Sequence, residues 1–386
     1  MFIEFVGKFY DNHSLSIVNR SIVLQLVKLG VKIQIIPLDS YDPTYSLNKA
    51  DVRILKSLET SDQETIPDVQ IRHSYPPIWS WPVHNETKVV YIQPWEYPKA
   101  LFEWQYKFET FADALIVPSN YCRNVFNAGG LRPDNLFVVP NGYDNTIFNT
   151  EAGNSVEKFG INPSKFNFVY VGNSQWRKGL DILLNAWSRS FSRSDNAKLI
   201  IKDNPRVYGQ SNILAEVIKL QYKTDCAEII YIDDELSTKE MADIYKASQI
   251  VVHPYRAEGF GMHVQEAMAC GCVPLVSADG PTDDFIPQDK GFRIPVQNVP
   301  INIQDPQLFA LKPGDATTMM STHTFIKEPN PDYLLKAMKY VYHSHDRQLI
   351  LDKVRVTNAP NTWEVVAAQY LDIFTKIASR TANRLK

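Results

Sequence analysis

Short apolar runs alternate along the chain with amphipathic stretches of helical period, and this alternation predicts an α/β fold. The first run, Phe2–Val6, is followed by a polar loop and then by a helical pattern that ends near Gly30. The helical pattern consists of Leu15, Val18, Ile22, Leu26 and Leu29. A second apolar run, Val31–Pro37, completes a strand–helix–strand unit, in which the strands are parallel and ligands bind at the carboxyl ends.

The same alternation continues through the rest of the chain. Buried strands are predicted at Val69–His73, Val89–Gln93, Asp113–Val117, Leu136–Pro140, Phe166–Val171, Ala197–Lys202, Glu228–Ile232, Ile250–Val252 and Val273–Ser277. A length of 386 residues accommodates two domains, and the turn dipeptide Asn141-Gly142 marks the change between them. Residues 297–327 show several prolines and little periodicity, which predicts a long surface loop or a small insertion.

Composition and charge narrow the class of protein. A formal net charge of −3 without any basic stretch argues against a general nucleic-acid binder. The four cysteines follow no disulfide or zinc pattern, so we expect reduced core thiols in a cytoplasmic protein. The pattern predicts neither a signal peptide nor a membrane-spanning helix, whereas attachment to a membrane surface through an amphipathic helix stays open.

The stretch His253–Met268 contains the densest candidate chemistry. A buried strand leads into two glycines, Gly259 and Gly261, and then into a helix that begins near Met262, with the apolar positions Val264, Ala267, Met268 and Gly271. Glycines let a ligand approach the main chain, and the first amides of a helix can hold an anion. With Glu258 before this loop and Glu266 inside the helix, the stretch suits a ligand with both hydroxyl and phosphate groups.

The motif Glu258-Gly-Phe-Gly-x4-Glu266, followed by Ala-Met-Ala-Cys-Gly, resembles the Glu-x7-Glu motif of retaining glycosyltransferases of family 4 (glycosyl transferases group 1). The resemblance implies the GT-B fold, with two Rossmann-like, doubly wound domains that face each other across a cleft. By this resemblance, residues 1–150 form an acceptor-binding domain and residues 151–360 a domain that binds a nucleotide sugar. Residues 361–386 would then form a C-terminal helix that crosses back to the first domain.

The resemblance also assigns a donor site, whose sugar nucleotide is UDP- or GDP-linked. Glu258, Gly259, Phe260, Gly261 and Met262 would hold the sugar and its phosphates, and Glu266 the ribose hydroxyls. A second set, Gly172, Asn173, Arg177, Lys178 and Lys202, follows the strands Phe166–Val171 and Ala197–Lys202. A cation at this edge can reach a diphosphate, and Lys178 occupies the position that contacts the pyrophosphate in the family.

Residues on the acceptor side are expected in the first half of the chain. Gly7, Asn12 and His13 follow the first strand, His73 ends another, and Trp95 and Glu96 follow Val89–Gln93. Aromatic rings near a sheet edge suit sugar stacking, although hinge or core packing explains each tryptophan, taken alone, better. The acceptor would be a glycan, a lipid-linked molecule or a protein.

The reaction implied by the resemblance is transfer of a hexose-type sugar to a hydroxyl group with retention of the anomeric configuration. Glu258, Lys178 and His73 are the candidate catalytic residues, and neither a cofactor nor a metal is expected, since no Asp-x-Asp motif follows a strand. Two other classes remain open: a GT-B nucleotide-sugar epimerase and a non-catalytic carbohydrate-binding protein. A hydride-transferring Rossmann enzyme would need Gly-x-Gly-x-x-Gly after its first strand, where Gly7 stands alone.

Overall fold

A computed structural model describes residues 1–59, 65–131, 135–209, 213–300, 325–356 and 359–380. The chain forms two compact units, the first consisting of Met1–Gly142 and Asn361–Lys386, and the second of Tyr143–Pro360. Among the described residues, no helix has the length and apolar character needed to cross a membrane. All four cysteines are buried free thiols, as the sequence predicts.

The first unit contains a six-stranded parallel sheet. Its strands are β1 (Phe2–Gly7), β2 (Lys32–Pro37), β3 (Val69–His73), β4 (Lys88–Ile92), β5 (Ala114–Val117) and β6 (Leu136–Val138). They lie in the order β2-β1-β3-β4-β5-β6, and every residue of β3, β4 and β5 is buried, as is usual where helices cover both faces. The strand order reverses between β1 and β3, and such switch points are where open α/β sheets bind ligands.

Within the described part of this unit, four helices connect the strands. They are α1 (Ser14–Lys28), α2 (Lys49–Ser57), α3 (Phe102–Phe111) and α4 (Asn120–Ala128). Helix α1 buries Val18, Ile22 and Leu26 on the predicted face, and the chain turns at Gly30 in the left-handed conformation. The Ser119 hydroxyl caps α4 by accepting a hydrogen bond from the Cys122 amide.

The second unit contains a second six-stranded parallel sheet in the order β12-β11-β10-β7-β8-β9. Its strands are β7 (Phe166–Val171), β8 (Ala197–Lys202), β9 (Glu228–Ile232), β10 (Ile250–His253), β11 (Val273–Ser277) and β12 (Phe292–Ile294). The helices are α5 (Leu180–Ser190), α6 (Pro205–Tyr208), α7 (Ile213–Tyr222), α8 (Thr238–Lys246), α9 (Met262–Ala269), α10 (Pro331–His343) and α11 (Arg347–Val354). Apolar side chains form a cluster on each face of the sheet and pack helices against it. The strand order reverses between β7 and β10, which is the switch point of this sheet.

Two predictions about the second unit need correction. Gly271 does not continue the apolar face of α9, because the helix ends at Ala269 and Gly271 turns the chain with a φ of +94°. The segment 297–327 is not loop throughout: its ends pair as an antiparallel hairpin of β13 (Val296–Pro300) and β14 (Phe325–Pro329). Its middle, residues 301–324, lies outside the described residues.

The last helix, α12 (Trp363–Ala378), belongs to the first unit, where it packs on α1 and β3. Its buried face contains Trp363, Val366, Ala367 and Tyr370, which are the periodic apolar positions of the sequence. Trp363 also packs against the backbone of Gly142, where a Cβ atom would lie 2.7 Å from the indole ring. Trp363 is therefore a packing residue.

Candidate functional site

The switch point of the second sheet brings together two predicted site residues, Lys178 and Glu258. Lys178 ends a 3-10 turn, Trp176–Lys178, that follows β7, and Glu258 lies in the loop after the neighbouring strand β10. The Lys178 ammonium donates a hydrogen bond to Glu258 Oε2, and the two side chains are only 12% and 9% exposed. The other carboxylate oxygen, Oε1, accepts a hydrogen bond of 3.0 Å from the Gly259 amide.

His253, the last residue of β10, is a third member of this group. Its Nε2 atom lies 3.1 Å from Glu258 Oε2, and its side chain is fully buried. Burial lowers the pKa of His253 to about 4, although the carboxylate opposes this shift. Burial would raise the pKa of Glu258, but the charge of Lys178 and the His253 hydrogen bond hold it well below its usual range. At neutral pH the site therefore contains an ionised carboxylate, an ammonium group and a neutral imidazole.

His263, in the first turn of α9, packs its ring edge-on against His253 with the centroids 4.1 Å apart. Nitrogen or oxygen atoms of His253, Glu258 and His263 lie within 4.8 Å of one another, so these three residues form a grouping that a divalent metal could use. Glu258, however, already has a counter-ion in Lys178. The expectation that the reaction needs no metal stays a prediction.

The glycine loop brings α9 to the same edge of the sheet. Gly261 immediately precedes the helix with a φ of +95°, a conformation that side chains rarely adopt, and a Cβ atom there would lie 3.1 Å from the Thr282 methyl group. Phe260 packs on Phe285, and this contact anchors the loop. The Val264 and Gln265 amides donate to the Gly261 carbonyl, so Met262 and His263 provide the amides at the helix N-terminus that have no partner within the helix.

Glu266 lies in the second turn of α9 in a different environment from Glu258. Its Oε2 atom accepts a weak hydrogen bond of 3.4 Å from the Tyr245 hydroxyl. Burial raises the pKa of Glu266 to about 8, so the carboxyl group is largely protonated at neutral pH. The two glutamates of the motif therefore differ in charge.

The remaining donor-side residues follow β7 and β8. In the turn Gly172-Asn173, the Asn173 side chain is buried. The Asn173 carbonyl accepts a hydrogen bond from the Tyr170 hydroxyl, and Asn173 Oδ1 accepts one from the Gln175 amide. Arg177 donates to the Ala257 carbonyl at 3.3 Å, which ties it to the Glu258 loop. Lys202 ends β8 and donates to the Asp203 carbonyl, and burial lowers its pKa.

In the first unit, Gly7 and His73 lie side by side at the switch point between β1 and β3. His73 Nδ1 is 2.6 Å from Asn19 Oδ1 of α1, and its buried ring, with some influence from His13, has its pKa lowered to about 3. A Cβ atom on Gly7 would lie 2.5 Å from Asn19 Nδ2 and 2.8 Å from the His73 carbonyl. The site residues predicted from two separate loops thus share one buried cluster.

Asn12 and His13 lie in the loop after β1 and also have local roles. His13 Nδ1 caps α1 by accepting from the Leu15 amide at 3.2 Å, and Asn12 Oδ1 accepts from Arg20 at 3.3 Å. These contacts order the start of α1, so both residues contribute to local structure whether or not they contact a ligand.

Trp95 and Glu96 follow β4. The Trp95 ring is 2% exposed, packs 4.7 Å from the centroid of Trp104, and donates from Nε1 to the Lys99 carbonyl. Core packing explains this environment better than sugar stacking does. Glu96 is partly buried, and its carbonyl accepts from the Tyr121 hydroxyl.

Two residues of these groups, Asn19 and His253, were not assigned from the sequence, and neither was Arg256, which pairs with Asp181 and Glu328 next to the Glu258 loop. A signal exists for two of them. Asn19 is a polar residue on the buried face of α1, in line with Ile22 and Leu26, and His253 is a polar residue that ends an apolar strand. Arg256 gives no such signal, because its partners Asp181 and Glu328 lie 75 and 72 positions away in the chain.

Part of the chain is similar to known proteins. Residues 152–300 match the family described as "Glycosyl transferases group 1". D-inositol 3-phosphate glycosyltransferase of Rhodococcus erythropolis is 29% identical over 155 residues, which are 39% of this chain and 34% of the relative. Alpha-maltose-1-phosphate synthase of Mycobacterium tuberculosis is 26% identical over 246 residues, which are 58% of this chain and 59% of the relative. The matched part thus spans from about a third to three-fifths of these relatives.

Solved structures match nearly the whole chain at low identity. WaaG, a glycosyltransferase involved in lipopolysaccharide biosynthesis, aligns with a TM-score of 0.62 at 15% identity, covering 97% of this chain and 100% of WaaG. Anabaena HepE in complex with UDP-glucose aligns with a TM-score of 0.56 at 12% identity, also covering 97% and 100%. The catalytic domain of starch synthase IV from Arabidopsis thaliana, bound to ADP and acarbose, gives 0.61 at 12% identity, covering 98% and 100%. The chain therefore has the GT-B fold, with two Rossmann-like units, and contains a glycosyl transferases group 1 domain.

Proposed function

We propose that the protein is a retaining glycosyltransferase of family 4, which transfers a hexose-type sugar from a UDP- or GDP-linked donor to an acceptor hydroxyl. The observation that carries this proposal is the buried pair of Lys178 and Glu258 at the β7–β10 switch point, beside the N-terminus of α9. It provides a cation for a diphosphate, an ionised acceptor for sugar hydroxyls and unpaired helix amides for an anion. A nucleotide-linked sugar needs all three.

The departing group in this reaction is a nucleoside diphosphate, on which negative charge develops as the glycosidic bond breaks. Lys178, Arg177 and the first amides of α9 would stabilise that charge without a metal ion. Lys178 would then exchange part of its interaction with Glu258 for the phosphate oxygens. The depressed pKa of Glu258 keeps its carboxylate ionised throughout, so it is suited to accept hydrogen bonds from the sugar and not to donate a proton.

Retention by departure and attack on one face of the sugar fits this carboxylate better than double displacement. Glu258 accepts hydrogen bonds from Lys178 and Gly259 and lies 3.1 Å from His253 Nε2. These contacts delocalise its charge and lower its nucleophilicity. In the same-face route the donor phosphate accepts the proton of the acceptor hydroxyl, so no protein base is required.

Other predicted site residues at the two sheet edges would bind the rest of the donor and the acceptor. Glu266 would bind the ribose, and Lys202, which ends β8, would lie near the nucleotide base. We assign acceptor recognition to the first unit, where the neutral imidazole of His73 would orient a hydroxyl group close to Gly7. The acceptor would be a glycan, a lipid-linked molecule or a protein.

Nucleotide release from a panel of UDP and GDP sugars, with and without candidate acceptors, tests the proposal. Transferase activity is expected to release nucleoside diphosphate in an acceptor-dependent manner, and Glu258→Gln to abolish most of it. Conversion of the sugar nucleotide without an acceptor would favour an epimerase, and tight binding without turnover a carbohydrate-binding protein. A glycosyl adduct on Glu258, detected by mass spectrometry, would contradict the same-face route.

A further inference from the structure

Arg256, two residues before Glu258, is buried and takes no part in the chemistry above. Its guanidinium group uses all five of its N–H donors. Nη1 donates to the Trp176 carbonyl at 2.7 Å and to Asp181 Oδ1 at 2.8 Å, and Nη2 donates to Asp181 Oδ2 at 2.7 Å. Nη2 and Nε also donate to the two carboxylate oxygens of Glu328, at 2.9 and 2.5 Å. One cation therefore holds two carboxylates in paired, fork-like contacts.

These contacts fasten the loop after β10 to the loop after β7. The guanidinium lies over the Trp176 ring, 4.4 Å from its centroid, and the Arg256 and Ala257 amides both donate to the Arg177 carbonyl. The backbones approach so closely that a Cβ atom on Gly179 would lie 1.8 Å from the Pro254 carbonyl oxygen. Lys178 lies in the loop after β7, and Glu258 lies in the loop after β10.

Glu328 connects a third segment to this arrangement, because it lies on strand β14 of the hairpin β13–β14. The neighbouring residue of the hairpin, Lys327, donates to the Asp279 carbonyl in the turn after β11. The hairpin is thus attached to two of the loops that form the carboxyl edge of the second sheet. A lysine at position 256 would keep the positive charge but lose the planar arrangement of five donors.

We propose that Arg256 is a positioning residue that sets Lys178 against Glu258, with Asp181 and Glu328 as its two carboxylate partners. Through Glu328, the hairpin β13–β14 becomes part of the support of the donor site. The consequence for catalysis rests on the glycosyltransferase function proposed above, whereas the positioning itself is a property of the fold. The two can therefore be tested separately.

The test uses the full chain with Arg256→Lys, Asp181→Asn and Glu328→Gln. Arg189→Lys is the matched control, because Arg189 pairs with Asp332 in the same unit but both side chains are more than half exposed. Each variant is measured for amide hydrogen exchange in residues 174–182 and 255–261, for melting temperature, and for kcat and KM with the active sugar nucleotide.

Arg256→Lys and Asp181→Asn are expected to speed exchange in both segments, while exchange in β7 and β10 stays as in the parent protein. Turnover with the donor, expressed as kcat/KM, should fall by about tenfold or more, the loss expected when a charge-stabilising group is misplaced. Glu328→Gln should give a smaller change in the same direction, and Arg189→Lys none. Faster exchange throughout the second unit would indicate a general stabilising role and overturn the proposal, as would unchanged exchange in both segments.

Failure of the proposed function has a different signature. If the parent protein turns over no sugar nucleotide, the proposed function and the predicted effect of Arg256 on turnover are both wrong. The exchange measurement still decides whether Arg256 holds the two loops. If the parent protein is active and Arg256→Lys retains full kcat/KM, the positioning proposal is wrong while the proposed function stands.

Discussion

Lys178 and Glu258 lie 80 positions apart in the chain, yet their side chains form a nearly buried ion pair at the switch point of the second sheet. Parallel strands explain the meeting, because β7 and β10 are neighbours and both loops leave the same edge. A buried pair of this kind is balanced between desolvation and attraction, so removing one partner leaves the other charge uncompensated.

Replacing Lys178 by Met should therefore destabilise the protein by about 3–5 kcal/mol and lower turnover by about 10²-fold. Denaturant unfolding and nucleotide release measure the two effects. Lys198→Met is the matched control, because Lys198 is equally buried but its partner Glu228 is 56% exposed and can return to water. Equal destabilisation by the two substitutions would contradict the proposed cost of leaving Glu258 unpaired.

His73 should make the protein sensitive to acid. Its pKa is about 3 in the folded state, so between this value and the ordinary pKa near 6.5 the unfolded chain binds more protons than the folded one. Stability should therefore fall as the pH decreases from about 6.5 toward 3, by at most about 1.4 kcal/mol per pH unit.

The measurement is the free energy of unfolding as a function of pH for the parent protein and for His73→Gln. The variant should lose part of the slope, whereas His345→Gln, at an exposed histidine, should keep it. An identical slope in His73→Gln would show that the buried imidazole does not govern the acid response.

Glu266 should change the stability of the protein in the opposite direction, with a loss as the pH rises. Its pKa is raised to about 8, so between the ordinary value near 4.5 and 8 the folded protein binds more protons, and stability is lost as the pH rises through this window. Glu266→Gln should remove this loss and be more stable than the parent at pH 8, with little difference at pH 4. Nucleoside diphosphate binding, measured by calorimetry, should weaken by about tenfold if the Glu266 carboxyl group binds the ribose hydroxyls.

Gly261 tests the close packing of the glycine loop. Gly261→Ala introduces a Cβ atom in a left-handed conformation and 3.1 Å from Thr282, which should cost about 1–2 kcal/mol and weaken donor binding. Gly160→Ala is the control, because Gly160 also has a left-handed backbone conformation, with a φ of +75°, while no atom lies within 4 Å of the added Cβ atom. Only the first variant should raise the KM for the donor.

The sequence predicts well which candidate residues follow the strands, because apolar runs mark buried strands. The residues after parallel strands must then meet at one edge of the sheet. This reasoning expected Gly7 and His73 at one sheet edge and Lys178 and Glu258 at another, and the structure brings each pair together. It failed where a partner comes from distant, aperiodic sequence. Glu328 lies on a hairpin strand of mixed polarity that carries no signal of its own, and its contact with Arg256 depends on tertiary packing alone.

The charge difference between the two glutamates was equally hidden from the sequence. Both belong to one motif, but the pKa of each depends on its surroundings in space: Lys178 and His253 lower the pKa of Glu258, whereas burial raises the pKa of Glu266 against the opposing hydrogen bond from Tyr245. The spacing of a motif fixes where carboxyl groups lie along a helix and its preceding loop. It does not fix their protonation.

The chain leaves the first unit at Gly142 and returns to it at Asn361, and these two crossings lie side by side. Gly142 packs on Trp363, and on the other side of the crossings the Tyr143 hydroxyl donates to the Ala359 carbonyl at 3.0 Å. The second unit, the guest, is therefore inserted into the chain of the first unit, the host, and the two ends of the inserted stretch from Tyr143 to Pro360 are adjacent. Excision of the guest, with the host rejoined by a short linker, should yield two independently folding polypeptides, of which only the guest retains affinity for nucleoside diphosphates.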